Sequence, residues 1–126
     1  MTAEGVFQVV APITAGTCLI LAMGWMWTPK LILNVFGIAY ADSAIIVARR
    51  GAALFLGIGI LFATAWQSHD ETLRHALCAG MAVSCTLLAI LGLLERSRRA
   101  AGTGIWLAIV VEAVLAAALV LVLRLN

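Results

Sequence analysis

Four long stretches of this chain are apolar and almost free of charge, and they constrain the fold more than any other feature. The ranges 5–29, 51–69 and 76–94 contain no Asp, Glu, Lys or Arg, and the range 100–123 contains only Glu112. A helix that crosses a bilayer needs about 20 predominantly apolar residues. The whole chain is 64% hydrophobic and 11% charged, whereas soluble domains are about half apolar and roughly a quarter charged. The sequence therefore predicts four membrane-spanning helices.

The predicted fold class is all-α: an integral membrane four-helix bundle with antiparallel, up-down topology in a single transmembrane domain over 1–126. The predicted helices are 5–27, 45–66, 73–94 and 104–124. The connections at 67–71 and 95–104 are short, so we expect the second helix to pack beside the third, and the third beside the fourth. Tryptophan prefers the headgroup level of a bilayer. The four tryptophans, Trp25, Trp27, Trp66 and Trp106, all fall at predicted helix ends.

The connection between the first two helices is unusual. The range 28–43 is too long for a tight turn, and 31–40 is almost entirely apolar yet too short to span a bilayer. This pattern favours a short helix within 29–41 that begins near Pro29 and lies in the membrane interface. A hydrophobic loop packed on the helix ends is the alternative.

The positive residues predict the orientation. Six of the eight Lys and Arg residues flank the first and third connections: Lys30, Arg49, Arg50, Arg96, Arg98 and Arg99. Connections rich in Lys and Arg stay on the cytoplasmic side of a membrane. We therefore expect this side to face the cytoplasm and both termini to face outward.

Glu112 is the main candidate functional residue, because a carboxylate at membrane depth is costly unless it is paired, hydrated or protonated. It lies eight residues from the predicted start of the fourth helix, which corresponds to a depth of about 12 Å. Ala108 and Ala116 flank it at a spacing of four residues, and small residues usually mark the face of a membrane helix that contacts other helices. We expect Glu112 to point into the bundle.

Residues of the other helices at the same depth extend the candidate site. Three interpretations remain open: a pocket that binds a ligand or proton, a structural ion pair with Arg49 or Arg50, or a protonated Glu112 bonded to a neighbouring helix. The candidate ligand- or proton-binding residues are Glu112, Arg50, Arg49, Cys18, Cys85 and Thr86.

The sequence contains no motif for a familiar catalytic or cofactor site. It has three cysteines but no C-x-x-C pair, and free cysteine commonly behaves as a small buried apolar residue. Its two histidines flank one connection and lack the further ligands that a zinc site requires. We predict no catalytic residue, no metal, no cofactor and no nucleic-acid partner.

The chain resembles the small four-helix bacterial membrane proteins of unknown function, broadly the DoxX-type proteins. The resemblance involves Thr28-Pro29 and Phe36-Gly37 after the first helix, and Arg50-Gly51 and Gly57-Ile58-Gly59 in the second. It implies a four-helix bundle in a bacterial inner membrane and assigns no reaction.

These patterns favour a non-enzymatic protein. We expect an accessory or assembly subunit of a membrane complex, or a binder of an apolar, lipid-like ligand. The expected partners are the lipid bilayer and either other membrane subunits or a second copy of the chain. The alternative is a small proton-coupled transporter in which Glu112 exchanges a proton for a cationic substrate.

Overall fold

The computed structural model describes residues 1–126, which form five α-helices and no β-strand. The helices are α1 (Ala3–Trp27), α2 (Pro29–Val35), α3 (Asp42–Ala65), α4 (Glu71–Ser97) and α5 (Ile105–Leu125). All except α2 are long and apolar enough to cross a membrane. Even the shortest of these four, with 21 residues, extends roughly 31 Å, which matches the hydrocarbon thickness of a bilayer. The four helices indicate a multi-pass membrane protein.

The long helices begin and end within three residues of the predicted boundaries. Polar caps determine two of the starts. The hydroxyl of Thr2 accepts a hydrogen bond from the Gly5 N–H at 3.1 Å before α1. The Asp70 carboxylate accepts the N–H groups of Thr72 and Leu73 at 2.8 and 3.1 Å before α4. Such caps satisfy N–H groups that have no partner within the helix.

The short helix between the first two long ones is present, but it covers only the first half of the predicted segment 29–41. Pro29 occupies its first turn, where the fixed φ of proline favours a helix start. Gly37 ends it with φ of +65°, a conformation that glycine adopts without steric cost. The remaining residues up to α3 are not helical.

Of the two expected helix pairings, the one between α4 and α5 is present and the one between α3 and α4 is not. α1 packs along α3 and, less extensively, along α5, while α4 packs along α5. α3 and α4 make only sparse contact, so the prediction that they pack side by side is wrong. Close approach explains the preference: Gly59 of α3 lies against Leu19 and the Ala15 carbonyl of α1, where an added Cβ would come within 3.0 Å of the Leu19 side chain.

Two stripes of small residues lie on exposed faces of α3 and α4. Ala76, Gly80 and Ser84 form the stripe on α4, and Ala53 and Gly57 form the one on α3; all are exposed. The space around Gly57 and Gly80 is open to at least 4 Å. Other small residues are buried against neighbouring helices, among them Ala11 and Ala15 of α1, Gly59 of α3 and Ala116 of α5.

The interior consists of two separate apolar clusters. The larger draws on all four long helices and includes the fully buried Phe7, Phe62 and Leu119. The smaller contains Ala101, Ile105 and Ile109 and packs against Ile38. On α5 the buried residues of the smaller cluster end at Ile109 and those of the larger begin at Leu115, and half-buried Val111 also packs against the larger cluster.

Contacts at the two ends of the molecule connect segments that are distant in sequence. At one end the Gly102 N–H donates to the Phe36 carbonyl at 2.7 Å, and Gly104 lies directly against the Val35 carbonyl, so that no Cβ could be accommodated there. The residues after α1 and after α4 therefore share this end. Elsewhere, His69 Nδ1 lies 2.6 Å from Glu4 Oε1, which connects the turn after α3 to the start of α1.

Candidate functional site

Glu112 lies on α5 between the two apolar clusters. Its side chain is half-buried. It forms no ion pair, and none of the side-chain hydrogen bonds of the chain involves it. The one acidic residue inside α5 therefore has no polar partner within the chain.

Cys85 is the predicted site residue that lies close to both Cys18 and Glu112. Cys18 of α1 and Cys85 of α4 are both buried in the larger cluster. Cys18 and Glu112 lie within electrostatic range of the Cys85 thiol. The structure therefore brings together one residue from each of α1, α4 and α5.

The other three predicted site residues do not join this group. Thr86 is exposed, and its hydroxyl donates to the Ala82 carbonyl of its own helix at 2.7 Å. Arg49 and Arg50 are exposed on α3. The only ion pair in the chain joins His69 and Glu4, so neither arginine forms the structural pair with Glu112 that was one interpretation of the sequence.

Glu95 is a neighbour of Glu112 that the sequence analysis missed. It is exposed near the end of α4 and lies close enough to Glu112 for the two carboxylates to interact. α4 and α5 pack along each other, so residues before and after the connecting turn come close in space. The position of Glu95 just before that turn was the available signal. Two neighbouring carboxylates can hold a proton or attract a cation.

A second polar site lies where α1 ends and α3 begins. A cleft of about 340 Å³ has Trp27, Lys30, Tyr40 and Arg49 in its wall. Lys30 Nζ lies 4.8 Å from the centroid of the Tyr40 ring, within the range of a cation–π contact. The Tyr40 hydroxyl donates to Asp42 Oδ1 at 2.9 Å, and this hydrogen bond raises the pKa of Tyr40 above its ordinary value.

Two further features lie toward the start of α1 and α4. Arg74 is only 7% exposed; its Nε donates to Asn126 Oδ1 at 3.1 Å, and its Nη1 is buried without any partner. An open apolar cavity of about 580 Å³ runs along the first turns of α1, from Met1 to Val10. Neither feature contains a predicted site residue.

The arrangement as a whole offers proton or cation binding at Glu112 and anion binding at Lys30 and Arg49. The three cysteines are buried and unpaired, and all lie in the larger apolar cluster. No protein family, characterised protein or solved structure matches the chain. The resemblance to the DoxX-type proteins stays a prediction.

Proposed function

We propose that the chain is a non-enzymatic integral membrane protein that serves as an accessory or assembly subunit of a membrane complex, or binds an apolar, lipid-like ligand. The observation that carries this proposal is the sparse contact between α3 and α4. Both helices keep wide apolar faces exposed, so a helix of another chain or an apolar ligand can pack there.

The small-residue stripes support packing against another helix. Lipid provides no hydrophobic drive for helix association, so membrane helices associate where small residues allow close van der Waals contact. Gly57 and Gly80 lie on exposed faces with open space around them. A glycine on a face that meets only lipid would make the helix less stable without any compensating contact.

The proposed topology is an antiparallel, up-down bundle in a bacterial inner membrane, with both termini on the outer side and α2 in the cytoplasmic interface. The contact between Gly102 and Phe36 supports the shared location of the first and third connections. These connections carry most of the Lys and Arg residues, as expected for a cytoplasmic side. Exposed Trp27 and Trp106 lie at helix ends on the same side.

Native mass spectrometry of the protein, extracted gently from its own membrane, tests the proposal. A stoichiometric partner chain, or a retained apolar ligand, would support it. A bare monomer or homodimer without any ligand would contradict it. The Gly80→Leu variant should lose a partner that binds to α4. The Gly51→Leu variant is the matched control on α3, because an added Cβ also meets open space there, and it should keep that partner.

The alternative function is proton-coupled transport through Glu112. The half-buried, unpaired carboxylate with Glu95 as its neighbouring charge favours this candidate. Under the main proposal, Glu112→Gln keeps any partner or ligand and leaves the protein folded. Under the alternative, the same substitution abolishes proton-driven substrate movement in reconstituted vesicles while the melting temperature is unchanged.

A further inference from the structure

We propose that the cleft between the end of α1, α2 and the start of α3 binds the phosphate of an anionic phospholipid through Lys30 and Arg49. This inference rests on the membrane location in the proposed function and adds the chemical class of a lipid partner. The cleft measures about 340 Å³, within the range of roughly 300–1,000 Å³ typical of small-molecule sites.

The two cations of the cleft have no anionic partner within the protein. The single ion pair of the chain, between His69 and Glu4, does not involve them. Lys30 instead contacts the Tyr40 ring, and Arg49 lies close enough to Tyr40 for its charge to act on the phenol. Two positive groups without an ion-pair partner thus lie beside one aromatic side chain, whose hydroxyl is hydrogen-bonded to the Asp42 carboxylate.

The remaining wall of the cleft fits the headgroup region of a lipid. Trp27 is 67% exposed at the last position of α1, and tryptophan accumulates at the headgroup level of bilayers. The wall of this cleft is more polar than apolar, in contrast to the cavity beside the start of α1. Such a mixed wall suits the boundary between a phosphate and its acyl chains.

Phosphate is the anion that this pair of cations recognises best. The planar guanidinium of Arg49 can donate two parallel hydrogen bonds to phosphate oxygens, and Lys30 adds a compact positive charge. Asp42 at the edge of the cleft accepts from the Tyr40 hydroxyl through Oδ1. Its other oxygen can accept from the hydroxyls of a glycerol headgroup, so phosphatidylglycerol is the probe that matches Lys30, Arg49 and Asp42.

The test compares the melting temperature of the detergent-solubilised protein with added phosphatidylglycerol, phosphatidylcholine or inorganic phosphate. We expect phosphatidylglycerol to raise the melting temperature of the wild type and phosphatidylcholine to have no effect. In the Lys30→Gln/Arg49→Gln variant the apparent affinity for phosphatidylglycerol should fall about tenfold or more, because two charge-assisted contacts are lost. Bound lipids counted by native mass spectrometry should fall in parallel.

The Arg98→Gln/Arg99→Gln variant is the matched control, because it removes the same amount of positive charge. The two arginines also lie at the same end of the molecule as the cleft, since the hydrogen bond from Gly102 to Phe36 connects their turn to the end of α2. An equal loss in this control, or an undiminished response in Lys30→Gln/Arg49→Gln, would overturn the site. Protection by inorganic phosphate alone would overturn the lipid assignment and point to a free phosphate. Recovery of the protein in the soluble fraction of cells, measured first, would instead overturn the proposed function.

Discussion

At the scale of single residues, Arg74 is the most deeply buried charge of the molecule. Its Nε has Asn126 as acceptor, but its Nη1 is buried without one. A buried charge with incomplete hydrogen bonding destabilises the folded state relative to an apolar side chain of similar volume. Removing the guanidinium altogether should therefore have a different effect from removing its partner.

We predict that Arg74→Met keeps or raises the melting temperature in detergent, whereas Asn126→Ala lowers the free energy of unfolding by about 1 kcal/mol. The first variant removes the unpaired Nη1 together with the charge. The second variant leaves both Nε and Nη1 of Arg74 without an acceptor. A clear fall in the melting temperature of Arg74→Met would show that the guanidinium has an anionic partner in the membrane.

Tyr40 is a second single residue that offers a test, because the ionisation of its phenol depends on pH. Its hydrogen bond to Asp42 favours the protonated phenol in the folded protein, which raises its pKa. The contribution of this hydrogen bond to the stability of the folded protein is fully present below the ordinary tyrosine pKa of about 10. It is lost as the pH rises through the higher pKa of Tyr40 in the folded state.

Because Tyr40 is the only tyrosine of the chain, the absorbance of tyrosinate reports on it alone. We predict that Asp42→Ala lowers the midpoint of this titration toward the ordinary value. Asp70→Ala, which removes a carboxylate that caps α4 instead, should leave the midpoint unchanged. Equal midpoints in the wild type and in Asp42→Ala would contradict the hydrogen bond between Tyr40 and Asp42.

At the scale of helices, the contacts between elements depend on where a glycine allows close approach. Gly59 lies against Leu19 of α1, and Gly92 of α4 lies against Ile109 of α5. The sequence alone shows glycines and alanines on several faces of each helix and does not say which face meets which neighbour. This is why the short connection between α3 and α4 led to the wrong pairing.

We predict that Gly59→Ile separates α1 from α3 and lowers the free energy of unfolding by about 1–3 kcal/mol, the usual cost of overpacking a filled interface. Gly51→Ile is the matched control, because it lies on the same helix, where an added Cβ meets no other atom within 4 Å, and outside the stripe of Ala53 and Gly57. Thermal unfolding of both variants in the same detergent gives the comparison. An equal loss in both variants would contradict the close approach of α1 and α3 at Gly59.

At the scale of the whole molecule, the sequence is sufficient to predict the four long helices, since length and apolar composition determine them. The extent of α2 depends on Gly37 and its contact with Gly102, a tertiary contact that local pattern cannot reveal. The site is only partly predictable. The depth of a residue along its helix can be estimated from the sequence, and it places Cys18 and Cys85 at the level of Glu112. The directions of the Arg49, Arg50 and Thr86 side chains depend on how each helix is rotated, which the sequence does not show. Glu95 becomes a neighbour only through the packing of α4 on α5.

The positions of the basic residues predict the orientation in the membrane, and single cysteines can test this prediction. The native Cys18, Cys78 and Cys85 are buried, so a membrane-impermeant maleimide should give little background labelling. We predict that intact cells label Gln67→Cys, in the turn between α3 and α4, and that Ser97→Cys, at the end of α4, is labelled only after permeabilisation. Both positions are exposed, so accessibility within the protein does not distinguish them. The reverse pattern would place both termini in the cytoplasm, and labelling of both sites in intact cells would show that α4 does not cross the membrane.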